Sequence, residues 1–305
     1  MRFANWRVSG PALLLIAVAL AAGWLLFAHA LPSPTANSPQ NRSAVIIIGT
    51  EGAFPPWNFT HPDGSLDGFE PEMMRDLCRR AHMLCRMEAM DWDGMIGALH
   101  AHKIDIIADS VQLTPARQAV LAFTRPYALT TGVFVSQKGS DLSRMAARGV
   151  LFDFDRPSPE LAARIAQLRR DLRGKVMGIE ISGAFDTFVD RYLKDVVTIK
   201  YYRTMGERDL DLLNGRLDFT LEDAAYVRPL LVTRDGAKLQ QVGPELIGGD
   251  MGRGEALVLR PSSAALKARL DAAIGAAIAD GTLHRLDLKW FSMDAAPPAA
   301  EGAGR

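Results

Sequence analysis

Cysteine is nearly missing from this chain of 305 residues, where only Cys78 and Cys85 occur. Two thiols cannot build a four-cysteine zinc cage or staple a miniature fold. The six histidines do not make up the deficit. His100 and His102 stand two apart on an expected helix and point different ways, so no metal site is expected. An excess of one charge is missing too. Lys plus Arg total 35 and Asp plus Glu total 35, which leaves little to attract nucleic acid or an anionic membrane surface. No HExxH, P-loop, GxSxG or GxGxxG tract occurs, so no cofactor is expected either.

What is present is an ordinary globular composition, 48% hydrophobic and 23% charged, with enough chain for two domains. The N-terminus departs from it. Arg2 and Arg7 precede an apolar stretch from Gly10 to Ala28, and Ala28-His29-Ala30 supplies a small-x-small pattern. That is the layout of a secretory signal peptide cleaved after Ala30. A retained membrane anchor is the alternative, because the run is about long enough to span a bilayer. A lipid anchor would need a cysteine beside the cut, and none is there. Leu31 to Ser43 is rich in Pro, Ser and Asn and reads as a flexible leader. Export would place Cys78 and Cys85 in an oxidising compartment, where a local disulfide could tie a helix end to the next strand.

Hydrophobic periodicity divides the remaining chain into two similar units. A strand is expected over 45–49. Met73, Met74, Leu77, Cys78 and Ala81 then recur at helical spacing, followed by a strand over 85–89, a helix over 93–101 and a strand over 104–108. This β-α-β-α-β order predicts a parallel sheet flanked by helices. The order restarts with a strand at 175–179, a helix that Ser182 can cap, a strand at 196–201, a helix at 207–214, a strand at 217–221 and a helix opened by Asp223. Between the halves, 153–174 is a charged helical insertion with no evident chemistry. A last strand over 256–260 and amphipathic helices over 262–291 complete the first unit rather than the second. The expected organisation is lobe 1 over 44–130 plus 250–293, lobe 2 over 131–249, and a disordered tail over 294–305. Two crossings, near 128–133 and 243–252, would make a hinge.

The tract IDIIADSVQLTPAR, 104–117, joins a buried-type strand to a helix start. Thr114 can cap that helix and Pro115 suits its first position. Arg117 is thereby aimed into the crevice where strand gives way to helix, and its guanidinium can grip a carboxylate with two parallel hydrogen bonds. An ordinary surface arginine would fit the tract equally well.

Several tracts in order resemble one family: IGTEGAFPPWNF (48–59), DGSLDGFEPEMMRDLCRRA (63–81), DWDGMIGAL (91–99), IDIIADSVQLTPAR (104–117), GRLDFTLED (215–223) and IADGTLHRLDLKWF (278–291). They are similar to bacterial extracellular solute-binding proteins of family 3, the periplasmic amino-acid receptors of ABC importers. The likeness covers about 44–292, and the second lobe most resembles a branch described as lysine/arginine/ornithine or opine receptors. It implies an α/β, two-lobe periplasmic-binding-protein fold of type II with a two-strand hinge. It also implies a periplasmic, non-catalytic monomer that takes an amino acid or opine and meets an ABC permease. The Cys78/Cys85 spacing matches a disulfide of the basic amino-acid branch.

By the same resemblance, Arg117 holds the ligand α-carboxylate and Asp223, from the other lobe, its α-ammonium. Trp92 and Phe54 flank the ligand side chain, Ser110 and Gln112 line the site, and Glu51 reads a distal ammonium or guanidinium. A zwitterion needs a fixed cation and a fixed anion, so placing them on different lobes makes the ligand a bridge that selects the closed state. Two departures stand out. Asp109 replaces a small residue, and is either a second anion for a cationic side chain or buried against Arg117. Gly183-Ala184 replaces hydroxyl residues, leaving Ser182, Ala184 and backbone N–H groups at that helix start. Simpler roles exist for each residue: Trp92 and Phe54 as core aromatics, Asp223 as a helix cap, Glu51 as a solvated turn. A periplasmic cyclohexadienyl dehydratase, with Glu222 or Asp109 as general acid, and a ligand-sensing accessory module are the rival functions.

Overall fold

Alternating strands and amphipathic helices build two sheets in the computed structural model, which describes residues 45–298. The expected signal segment, 1–30, and leader, 31–43, lie outside the described residues. The chain opens with β1 (Ile46–Thr50), β2 (Ala53–Phe54), β3 (Asn58–Thr60), β4 (Leu66–Asp67), α1 (Phe69–Arg80), β5 (Cys85–Ala89), α2 (Trp92–His100), β6 (Ile106–Ile107), α3 (Pro115–Gln118) and β7 (Ala122–Phe123). Acidic Glu72 lies in the first turn of α1 and basic Arg79 and Arg80 in its last, matching the helix dipole. Its buried face carries Met73, Met74, Leu77 and Cys78. Cys78, in its last turn, is disulfide-bonded to Cys85 at the start of β5.

The second half runs β8 (Gly132–Gln137), β9 (Leu151–Asp153), α4 (Pro159–Asp171), β10 (Val176–Glu180), α5 (Asp186–Tyr192), β11 (Thr198–Tyr202), α6 (Met205–Leu213), β12 (Phe219–Asp223), α7 (Ala224–Leu231) and β13 (Leu239–Ile247). The chain finishes with β14 (Val258–Leu259), α8 (Ala264–Ala279) and α9 (Thr282–Phe291). One sheet has the order β5-β1-β6-β14-β7 and the other β11-β10-β12-β8-β13-β9, with β2-β3-β4 as a small third sheet. In each large sheet one side is parallel, β5-β1-β6 and β11-β10-β12, as the alternation predicts. The antiparallel partners β8 and β14 each come from chain that has just crossed between sheets.

Helix α9 returns to the first sheet's side. Its Phe291 lies 4.4 Å from Trp57 and 4.7 Å from Phe69, all three fully buried. Phe134, Phe152, Phe188 and Phe219 centre a separate core for the second sheet. The insertion is a helix as expected, capped by Ser158 and started by Pro159, and within α4 only Leu168 is buried. Its root is tied down, because Asp155 accepts from the Gly249 N–H at 2.8 Å and both Asp153 and Asp155 pair with Arg253.

The crossings are extended outward at Thr130–Thr131 and glycine-rich on the return. Gly252 has φ 72°, and a Cβ there would meet the Leu113 carbonyl at 2.0 Å, so no other residue fits. Gln112 and Ala128 each bridge to Glu255 at this waist. Two expectations need correcting. Ser182 does not cap a helix: it sits in a turn with φ 60°, and α5 starts only at Asp186, with Phe185 before it. Ala295, assigned to a disordered tail, is 2% exposed, accepts from the Leu129 N–H at 2.7 Å and donates to Asp287 at 3.2 Å. Residues 299–305 of that tail lie outside the described residues. Among the described residues no helix is long and apolar enough to cross a membrane.

Candidate ligand-binding cleft

In sheets of this kind ligands bind beyond the carboxyl ends of the parallel strands. Four such ends meet here across the gap between the sheets. Glu51 follows β1, Asp109 follows β6, Glu180 ends β10 and Asp223 ends β12, and all four line one cleft. Its empty volume, open mouth included, is about 530 Å³. Phe54, Trp92, Ser110, Gln112, Arg117 and Ala184 line it too. Of the residues expected at the site, Ser182 alone is not a wall residue, although its carbonyl accepts from Arg117 Nη2 at 3.1 Å.

Local sequence places Arg117 as expected: Thr114 caps its N–H at 3.2 Å and Pro115 takes the first helical position of α3. The guanidinium lies 5.4 Å above the Trp92 ring and donates to the Gln112 carbonyl at 3.4 Å. Burial pulls its pKa down to about 10, against the fields of Asp186, Glu180 and Asp109, so it stays charged at neutral pH. Opposite, Phe54 packs against Tyr226 of α7, ring centres 5.1 Å apart.

The acids divide by whether they have partners. Asp109 is committed: its Oδ1 accepts from the Glu51 N–H and from Asn58 Nδ2, each at 2.8 Å, and from Thr50 Oγ1 at 3.3 Å. It makes no hydrogen bond to Arg117 among the described residues. Burial raises it to about 6. Behind it Glu70, raised by burial to about 8, accepts from Asn58, the Ser110 N–H and Tyr127. Asp223 does two jobs. It caps α7 through the Ala225 N–H at 2.6 Å, and it faces the cleft. Thr130 Oγ1 lies 2.8 Å from Asp223 and 2.5 Å from Glu255. With one proton to give, that hydroxyl donates to one carboxyl and accepts from the other, which must then be protonated. Burial accordingly raises Asp223 to about 7 and Glu255 well above its ordinary range.

Glu222 is neutralised by a cation that the sequence did not reveal. Arg208 of α6 is 1% exposed, donates to Glu222 and pairs with Asp209 at 2.8 Å. Glu51 and Glu180 remain. Neither carboxyl has a hydrogen-bond partner among the described residues, and burial, aided by neighbouring acids, raises them to about 8 and about 9. The cleft thus holds a surplus of carboxyls over its free cation, Arg117. Glu180, Phe185, Met205 and Leu221 also line it without having been anticipated. The strand-end rule could have found Glu180, the last residue of β10. Among the described residues no cluster could hold a metal ion.

Two lobes, a glycine-rich waist and a cleft of opposed charges define a hinged solute receptor. The chain belongs to the bacterial extracellular solute-binding proteins, family 3, whose family model matches residues 46–293. It is 34% identical over 270 residues to the octopine-binding periplasmic protein of Rhizobium meliloti, covering 83% of this chain and 92% of that one. It is 29% identical to the L-arginine-binding protein of Pseudomonas aeruginosa, covering 91% and 97%. Among solved structures it matches a His/Glu/Gln/Arg/opine family-binding protein from Silicibacter pomeroyi in complex with lysine. That match has TM-score 0.66 and 28% identity, covering 83% of this chain and 100% of that one. An ancestral arginine-binding protein bound to arginine matches with TM-score 0.67 and 25% identity, over 81% and 98%.

Proposed function

We propose that the protein is a periplasmic, monomeric receptor for a basic amino acid, or an opine built on one, which it passes to an ABC importer permease. The observation that carries the ligand class is the acid surplus of the cleft. An acidic ligand would add a further carboxylate to acids already kept from ionising by burial and by one another, and an aliphatic one would leave desolvated carboxyls without partners. A distal cation restores the balance. In this reading Arg117 takes the α-carboxylate, Asp223 the α-ammonium, and Phe54 and Trp92 flank the chain between them. Relatives named for octopine and L-arginine support it. The dehydratase alternative finds less support, because Glu222 is held by Arg208 and Asp109 accepts from Thr50, Glu51 and Asn58.

The test is a thermal-shift and calorimetric panel on protein freed of copurified ligand. Arginine, lysine, ornithine and their opines should give larger shifts than glutamate or leucine, and Glu51→Gln should weaken that preference. A parent that favours glutamate, or a variant with an unchanged ranking, refutes the assignment.

A further inference from the structure

The identified acids of the cleft come from both sheets, but their hydrogen bonds leave few of them free. Asp109 is held through Oδ1 by Thr50, Glu51 and Asn58. Asp223 is shared by Thr130 and the head of α7, and Glu222 by Arg208 and the Asp223 N–H. The cleft carboxyls with no hydrogen bond at all among the described residues are one on each side, Glu51 beyond β1 and Glu180 at the end of β10. Both line the same cleft, and the charge of Glu51 is among those that push Glu180 upward. Glu180 Oε1 is fully enclosed and has no partner among the described residues. The same is true of Gln112 Oε1, on a side chain only 7% exposed at the same cleft. A buried carboxyl with nothing to accept from is costly, and such a cost is retained where a ligand supplies the donor.

We propose that Glu180 is a specificity-determining residue, closing with Glu51 from the opposite lobe on the distal cationic group of the ligand. The inference rests on the reading that the cleft takes a basic amino acid or opine. It adds that the side chain's charge, and not only the amino-acid head, is gripped by both lobes. A guanidinium suits this arrangement because its N–H groups diverge in a plane and can serve two carboxylates at once. A cationic ligand then draws the lobes together at both of its ends. A neutral ligand of equal length closes only the Arg117 and Asp223 end.

The competing role for Glu180 is counter-ion to Arg117, whose field it shares with Asp186 and Asp109. The two roles differ in which ligands they affect. Arginine and citrulline have the same length and the same amino-acid head, and differ by guanidinium against urea. Affinities for both should be measured by calorimetry on ligand-free parent, Glu180→Gln, Glu51→Gln and the double variant. Glu180→Gln should weaken arginine by about tenfold or more while leaving citrulline within about threefold, so the parent's preference collapses. Because both carboxylates hold one group, the two substitutions should combine non-additively for arginine and additively for citrulline. The melting temperature of ligand-free Glu180→Gln should equal or exceed the parent's, since an unpartnered buried acid is removed, and this establishes that the variant folds. Equal weakening of both ligands would assign Glu180 to Arg117 and overturn the proposal. An unchanged ratio would overturn it as well. A parent that binds no amino acid or opine overturns the wider reading, and this inference with it.

Discussion

Arg117 is surrounded by acids and by peptide carbonyls, yet no carboxylate makes a hydrogen bond to it among the described residues. Its guanidinium donates to the Gln112 and Ser182 carbonyls, contacts that an arriving carboxylate would improve on. Arg117→Ala should therefore cost about 2–5 kcal/mol of binding for every ligand, charged or neutral. Binding of the best ligand within threefold of the parent by calorimetry would remove its carboxylate role. At this scale the sequence is readable where local rules leave a mark. Thr114 and Pro115 announce a helix start and so the direction of Arg117. Asp223 reads both as a cap and as a site residue, and the two turn out to be compatible, because a strand-to-helix turn puts the capping carboxyl at the cleft. Glu180 leaves no such mark. It is one acid after an apolar strand, and its position depends on a sheet partner elsewhere in the chain. Arg208 is hidden for the same reason, since its partner Glu222 comes from a different element.

Among elements, α6 is held behind the cleft by a buried charge. Arg208 pairs with Asp209 and Glu222, lies over the Tyr226 ring at 5.6 Å, and Tyr226 in turn donates to Asp209 at 2.5 Å. Arg208→Met would leave acids buried without their cation, and should lower stability by about 3–5 kcal/mol. An unchanged denaturation midpoint in ligand-free protein would show the pair to be dispensable. The α1–β5 disulfide closes a short loop and should contribute about 2–3 kcal/mol, lost on reduction. Thiol titration of unfolded, unreduced protein should find none free; two reactive thiols would refute the bridge. Long amphipathic elements such as α1 are legible to within a residue or two. Very short ones are not. Ile106–Ile107 and Val258–Leu259 are strands only because neighbours pair with them. In β13 the register shifts between Val242 and Glu245, where Gly243 has φ 62° and Pro244 has no N–H to give. That bulge masks a nine-residue strand as a turn.

For the molecule as a whole, two α/β units and a C-terminal return are legible because binary patterning survives at domain scale. The small β2-β3-β4 sheet and the tie between the insertion's root and Arg253 are not, since both depend on contacts distant in sequence. The lobes also meet at the rim, where Arg203 pairs with Asp93 at 2.9 Å. Both partners are largely exposed, so that contact contributes little. The unpartnered carboxyls inside have a larger consequence, for proton traffic. At neutral pH Glu51 and Glu180, raised by burial and by nearby Glu222 and Asp109 to about 8 and about 9, hold their protons. A cation placed against them favours the ionised form, so loading the receptor expels protons into the solvent. Because the complex binds fewer protons than its parts, affinity for arginine should rise as pH rises from about 6 to about 8. Calorimetry in buffers of different ionisation heat should then give apparent enthalpies that vary more for arginine than for glutamine, whose α-ammonium meets only Asp223, itself raised to about 7. A buffer-independent enthalpy for arginine would show that no proton leaves. Otherwise each captured cation exchanges for protons, and the acidity of the compartment sets how readily the receptor fills.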